Sequence, residues 1–511
     1  MLCNGGCSTS EWSRRKSTGY AISVAKPASY IHGDFQTPPG LAAEVWSDLG
    51  ALDDVDAVVE PTVGTGAFLR SAPPSLLGCR WICLDLNPEY VNQAREVAES
   101  RGFANALIAH ADAFDLSKDR LSDLDPERPL LAIGNPPWVT SSGQGNYAVQ
   151  NLPEKSNDKF GLAGLDAMTG KANFDIAEAV LLCLLDAVAD FHDVRIAFLV
   201  KRSVAMKLAR RLLGTARELS FSRIDAMAHF GAAVDAGLFV SRLSSARTHV
   251  APHVDIAAEL GGPLVRRAGF RNERFVEDLD NHAMAAHLEA SEPVPWRQGV
   301  KHDAAKVLEL IPTAGKLMNG FGEEVLIEGD ALCPLYKSSD IANGREPRRK
   351  FPLFQFDLSG PAVDLCSRWP LLADYLVRHE AVFAARRSRI YSGKPPFSIF
   401  GVGPYTLAPW KVAVSGLYPT ACFRVIGPSP TGHPSLVDDT CYLLPFESEA
   451  DARAVADHLN EAETQRLLHA LMDNGAKRPI TKALLSRIEI PVWPIESLAP
   501  NEHRQQLSLA G

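Results

Sequence analysis

The sequence lacks any long apolar run. Its longest apolar stretch, near Ala177 to Ala189, is broken by Glu178 and Asp186. That falls short of the roughly 18 apolar residues of a membrane-spanning helix and reads as a buried amphipathic helix. The first thirty residues hold Glu11, Arg14, Arg15 and Lys16 but no apolar core of a secretory signal. Residues 1–30 are therefore expected to be a disordered leader, and the protein to be cytoplasmic, away from membranes. A metal pattern is missing too. Cys3/Cys7 and Cys79/Cys83 are each spaced by three residues, with no matching second pair and no histidine cluster nearby. Zinc needs four ligands at closer, repeated spacing, so no metal is expected and the cysteines read as reduced thiols. No Gly-Lys-Ser/Thr phosphate loop is present, and no Pro-Asp…Glu-x-Lys cluster of a nuclease. Overall basicity is absent as well: the net charge is −9 and the pI about 5.9. That argues weakly against a nucleic-acid partner, although local clustering matters more than the total.

What is present is a chain of 511 residues, long enough for roughly two to four domains. From about Leu41 to Val240, short apolar runs alternate with helical stretches. The runs are Ala57-Val58-Val59, Trp81 to Leu84, Ala106 to Ala109, Leu130 to Ile133 and Arg195 to Val200; Pro88 to Gly102 and Ile176 to Ala189 are among the helices between them. This pattern predicts a mostly parallel sheet with helices on both faces. Phe221 to Phe230 and Leu238 to Leu243 would add an antiparallel pair at its end. In such sheets ligands bind at the carboxyl ends of the strands. Those ends carry Glu60, Asp85, Asp112 and Asn135, about 25 residues apart, one strand–helix unit each. Successive polar tips would converge on one crevice.

Glu60-Pro61-Thr62-Val63-Gly64-Thr65-Gly66-Ala67-Phe68-Leu69 follows the first run. Gly64 and Gly66 allow a tight turn and close approach of a ligand. With Leu at position 69 it is not a dinucleotide fingerprint, and alone it is equally a strand-to-helix turn. Asp85 could accept from two ribose hydroxyls. Asp112 could accept from an adenine amine, with Ala113 beside it and Phe114 packing on the ring. Each acid singly is as readily a solvated strand end; three in register point to a cofactor crevice. Asn135-Pro136-Pro137-Trp138 follows the fourth run. Its prolines fix two φ angles and remove two donors, leaving a rigid loop that displays carbonyls. An aromatic amine is a poor nucleophile because its lone pair is delocalised into the ring. Acceptors for both amine protons, the Asn135 side-chain oxygen and the Pro136 carbonyl, would free that lone pair. Trp138 could stack on the base, which would have to be flipped out of a duplex. The bland reading is a proline-rich loop with a packed tryptophan.

This set resembles the amino-group DNA methyltransferases, in the γ order of the adenine-N6 enzymes of type II and IIG restriction–modification systems. The likeness covers roughly residues 30–245. It implies a Rossmann-like α/β domain that binds S-adenosylmethionine, with double-stranded DNA as partner. It also implies a monomer or weak dimer and leaves room for a separate restriction nuclease. His32-Gly33-Asp34-Phe35-Gln36-Thr37-Pro38 resembles the motif ahead of the glycine loop, whose Thr37 and Pro38 would line the methionine end of the cofactor. Glu60 stands where Asp is commoner. Asn173-Phe174-Asp175 resembles the motif whose aromatic covers the cofactor adenine, giving Phe174 that role. Phe230-Gly231-Ala232-Ala233-Val234 resembles a late motif whose aromatic holds the flipped base, giving Phe230 that role.

After about residue 245 the alternation stops. Residues 246–295 are expected as a linker or extension, 296–495 as an α+β target-recognition domain and 496–511 as a tail. The segments beginning at Trp296, Leu335 and Phe400, and the stretch from His458 to Pro491, resemble that region. Between Lys337 and Lys411 twelve Lys/Arg face six Asp/Glu, a local charge of +6 in an acidic chain. Arg348, Arg349, Lys350, Arg386, Arg387 and Arg389 could reach phosphates or guanine edges. A solvated face is the alternative. Two other readings stand beside DNA methylation: an Asn-Pro-Pro-aromatic enzyme acting on RNA or a protein glutamine, and a non-catalytic nucleic-acid-binding protein.

Overall fold

The computed structural model describes residues 35–139, 175–244, 250–354, 365–473 and 475–490. Phe174, His32 to Asp34 and the expected leader and tail lie outside the described residues.

Five strands form the parallel part of one large sheet: β1 (Ala57–Glu60), β2 (Arg80–Asp85), β3 (Asn105–His110), β4 (Leu130–Gly134) and β5 (Asp193–Lys201). Antiparallel neighbours follow, β6 (Ala216–Ile224) and β7 (Ala236–Ser244), with β7 lying between β5 and β6. Strands β1, β2, β4 and β5 read as near-continuous apolar runs because both faces are covered, whereas in the edge strand β3 only Ile108 is buried. Val59, Ile82, Leu84, Ala132 and Phe198 point to one face. The residues between them, Val58, Trp81, Cys83, Leu131, Ile133 and Ala197, point to the other. Helices α1 (Pro39–Leu49), α2 (Ala67–Ser71) and α3 (Pro88–Arg101) cover that second face. Helices α4 (Ile176–Ala187) and α5 (Arg202–Leu212) cover the first. The order β3-β2-β1-β4-β5-β7-β6 reverses direction between β1 and β4. A crevice opens at such a reversal, outside the carboxyl ends of the two strands.

One sequence expectation needs correction. The stretch Phe221 to Phe230 is not all strand: β6 ends at Ile224, and Ala226–Phe230 is a short helix, α6. Asp225 accepts from Ala228 N–H at its start, and Gly231 closes it at φ 65°. Residues 246–295 form an extension of the sheet. They supply β8 (Val254–Ala257), β9 (Leu264–Arg271) and β10 (Arg274–Val276), which extend the same sheet to ten strands. Ile256 and Ala268 bury themselves against the same apolar layer as Phe221, which is why the sheet continues.

Beyond Trp296, itself 0% exposed, the architecture is α+β. A four-stranded antiparallel sheet and a three-stranded mixed sheet pack with helices such as Pro370–Arg378, Glu449–Asn460 and Ala462–Leu471. The last helices return to the strand extension. Glu277 and Asp278 N–H both donate to Ala470 O. Arg202, 1% exposed, pairs with Glu277 and, at 2.5 Å, with Asp473. A guanidinium this deeply buried needs such partners, and removing one from a pair like this typically costs about 3–5 kcal/mol.

Candidate active site

The turn after β1 is tied down from three sides. Asp85 at the tip of β2 accepts from Gly64 N–H at 2.8 Å through one oxygen and from Asn87 N–H at 2.8 Å through the other. Gln36 Oε1 accepts from Thr65 N–H at 2.9 Å. Gly64 and Gly66 have φ of 53° and 79°, a region that favours glycine. Space adds a second constraint at Gly64, where a Cβ would lie 2.5 Å from Gln36 Oε1. At the tip of β3, Asp112 accepts from Phe114 N–H at 3.0 Å and caps the turn Ala113–Asp115.

These tips enclose a cleft of about 640 Å³. Thr37, Glu60, Gly64, Asp85, Asp112, Ala113, Phe114, Asn135 and Pro137 all line it. Pro38 starts α1 beside it, and Gly66 sits behind the turn against Ala94. Glu60 is 1% exposed, and its Oε2 is a buried acceptor with no donor. Burial, and then the neighbouring Asp85 charge, push the Glu60 carboxyl well above the usual carboxylate range.

Asn135 leaves β4 into the cleft with its amide orientation set by its neighbours. The Nδ2 group donates to Phe35 O at 2.9 Å and to Thr37 Oγ1 at 3.2 Å. Because a backbone carbonyl can only accept, the nitrogen must face Phe35. The Asn135 Oδ1 is then left turned the other way, buried and without a donor. Pro136 is buried between Asn135 and Pro137, and Trp138 stands behind the loop rather than in the cleft. Trp138 is 7% exposed and donates from Nε1 to Leu199 O at 3.1 Å. Phe35 and Phe230 pack on it at 5.7 and 5.0 Å between ring centroids. A tryptophan so enclosed braces the loop, and the expected stacking of a base on Trp138 does not fit this packing. Phe230, at the end of α6, is the half-exposed ring of that cluster.

Comparison with known proteins bears on what this crevice is for. Over 470 residues the chain is 34% identical to the Type II methyltransferase M.NspV of Nostoc sp. (strain ATCC 29411 / PCC 7524), covering 90% of this chain and 96% of that protein. The chain belongs to the Type II restriction–modification methyltransferases. A second member, M.CvrRI of Paramecium bursaria Chlorella virus XZ-6E, is 29% identical over 125 residues, 24% of this chain and 29% of that one. No family model matches the chain. Among solved structures, that of the Type IIL restriction–modification enzyme MmeI in complex with DNA superposes with a TM-score of 0.50 and 11% identity. The match covers 88% of this chain and 65% of that longer one, and it speaks to the fold.

Within the family's site, sequence reasoning overlooked several residues that the structure brings in. Gln36 supports the glycine turn, and Leu86, Tyr90, Ile176 and Val180 line the cleft. Gln36 stands next to Thr37 in the motif already recognised. The others carry no local signal, because only the chain's winding brings them to the crevice.

The basic residues of the C-terminal region divide into two groups. Arg349 Nε pairs with Glu309 at 3.0 Å. Arg386 donates to Phe383 O, His302 O and Ser398 O and stacks on Tyr391 at 3.7 Å. Both hold the domain together. Arg348, Arg387, Arg389 and Lys394 are exposed and take part in no ion pair among the described residues.

Proposed function

We propose that the protein methylates the exocyclic amine of adenine in double-stranded DNA, using S-adenosylmethionine, with the target base extruded into the cleft. The observation that carries this reading is the Asn135 amide: its donors are taken by Phe35 and Thr37, and its buried oxygen awaits a donor. An amine proton is such a donor.

The residues fit S-adenosylmethionine on two independent features. Glu60 is a buried, unsatisfied carboxyl that an ammonium or sulfonium charge would complement. Gly64, at φ 53° on the cleft wall, lets the backbone of the turn approach a ligand closely. Glu60, Thr37 and Pro38 would hold the methionine end. Asp85 would hold the ribose, its carboxylate standing at the tip of β2 on the cleft wall. Asp112 and Ala113 would bind the adenine edge and Phe114 its ring, while Phe174 would cover it from the segment outside the described residues. Bound there, S-adenosylmethionine supplies an electrophilic methyl group on a sulfur that departs as a neutral thioether.

The chain's own part is to prepare the nucleophile. Asn135 Oδ1 and the Pro136 carbonyl accept the two amine protons, favour a tetrahedral nitrogen and return the lone pair to it. The fixed φ of Pro136 and Pro137 keeps these acceptors in place without reorganisation. No general base is needed before attack, because the proton becomes acidic once the new N–C bond forms and then passes to water. Phe230 stands beside Trp138 to hold the extruded ring.

Two features favour DNA as the substrate. The family carries this activity. And the 57 residues from Ala381 to Val437 contain no Asp or Glu, with Arg387, Arg389 and Lys394 exposed among them, a face suited to phosphates. The test is a filter assay with tritiated S-adenosylmethionine against DNA, RNA and protein. Label in DNA alone is expected. Label confined to RNA, or to a protein glutamine, would overturn the assignment.

A further inference from the structure

The far side of the catalytic loop rests on a lysine. Lys201 ends β5, with its side chain 16% exposed. Its ammonium pairs with the Asp175 carboxylate and donates to Trp138 O at 3.4 Å. Those two partners belong to different limbs of the chain. The outgoing limb carries the tetrapeptide and runs to Val139; the returning limb begins at Asp175, which caps α4 by accepting from Ala177 N–H at 3.1 Å. Ile176 N–H donates to Val139 O at 3.0 Å, so the limbs also meet directly. Ile176 and Val180 on the returning limb line the same cleft as Asn135. Trp138 is gripped twice by β5, at its indole by Leu199 and at its carbonyl by Lys201.

We propose that Lys201 is a positioning residue for methyl transfer: by holding the Trp138 carbonyl and the Asp175 carboxylate together, it fixes the catalytic tetrapeptide against the limb that supplies Ile176 and Val180 to the cleft. This rests on the methyl-transfer reading above. A neutral acceptor and an anion pulled onto one cation, in a part-buried site, have little freedom to shift. Lys201 does not line the cleft, so it acts on the reaction through the loop.

The experiment compares the full chain with Lys201→Met and Lys201→Arg, using unmethylated plasmid DNA and tritiated S-adenosylmethionine. Cofactor affinity is measured separately by equilibrium dialysis. A misplacement near 1 Å costs on the order of 10²-fold in rate, so the kcat of Lys201→Met should fall by about that factor. Its KM and Kd for the cofactor should stay within about threefold. Lys201→Arg keeps the charge and the reach and should recover most of the rate. Unchanged kcat in Lys201→Met would overturn the proposal. So would a cofactor affinity that falls in step with the rate, or a folded Lys201→Arg as slow as the methionine variant. Failure of the unaltered protein to label DNA would instead reject the methyl-transfer reading, and the positioning role with it.

Discussion

Replacing Asn135 by alanine separates what this side chain does for the fold from what it does for the reaction. On the fold side, the variant loses two hydrogen bonds, at 2.9 and 3.2 Å. Each such bond is worth about 1 kcal/mol net. A melting temperature lower by a few degrees follows. On the reaction side, the Oδ1 acceptor is gone. Loss of one preorganised group of this kind costs about 10²–10³ in kcat, roughly 2.7–4 kcal/mol at 1.36 kcal/mol per decade. Cofactor affinity should change by less than about threefold, because Glu60, Asp85 and the glycine turn are untouched. Asn135→Asp sharpens the test: it keeps the shape but sets an oxygen against Phe35 O, so it should be nearly as slow. The assays are single-turnover methylation, equilibrium dialysis and thermal melting on the same preparations. Full activity in Asn135→Ala would refute the reasoning, and so would loss of cofactor binding in step with loss of rate.

Glu60→Gln should stabilise the ligand-free protein and weaken cofactor binding together. The folded-state carboxyl is raised above its unfolded value, so its contribution to stability is present at low pH and lost as pH rises through the raised value. Melting scans should therefore show the largest gain for Glu60→Gln above that window. In the unaltered protein, cofactor affinity should fall as pH drops through it. Gly64→Ala forces a side chain to φ 53° and 2.5 Å from Gln36 Oε1. With about 1–2 kcal/mol of left-handed strain alone, cofactor affinity should fall tenfold or more, while Gly78→Ala, in open space, should leave dialysis curves unchanged. Changing Arg387, Arg389 and Lys394 together to alanine should reduce the slope of log affinity for DNA against log salt by about three. Arg386→Ala should lower the melting temperature instead; an unchanged slope in the triple variant would remove this face from the DNA contact.

Most of the parallel sheet was legible because β1, β2, β4 and β5 are buried on both faces and read as unbroken apolar runs such as Val58-Val59 and Trp81 to Leu84. The tips were legible for a related reason: Glu60, Asp85 and Asn135 are the polar residues at the ends of those runs, and Asp112 follows shortly after β3. Strands β8 to β10 were not legible. Strands β8 and β10 are short, and β9 shows a mostly exposed pattern, Leu264 and Val265 outward with only Ala268 and Gly269 buried, so no period announces them. Trp138 misled because an aromatic after Asn-Pro-Pro says nothing about which way its ring turns; packing against Phe35 and Phe230 decides that. Arg349 and Arg386 looked like Arg387 and Arg389 in sequence. Only the fold shows that the first two spend their donors on Glu309 and on backbone carbonyls.

The central claim is that Asn135 prepares an adenine amine for methylation. It is tested most directly by digesting DNA methylated by the purified protein and identifying the modified nucleoside by mass spectrometry. N6-methyldeoxyadenosine as the single modified species is the expected result. Methylcytosine of either kind, or no modified nucleoside with cofactor bound and DNA in excess, would contradict it.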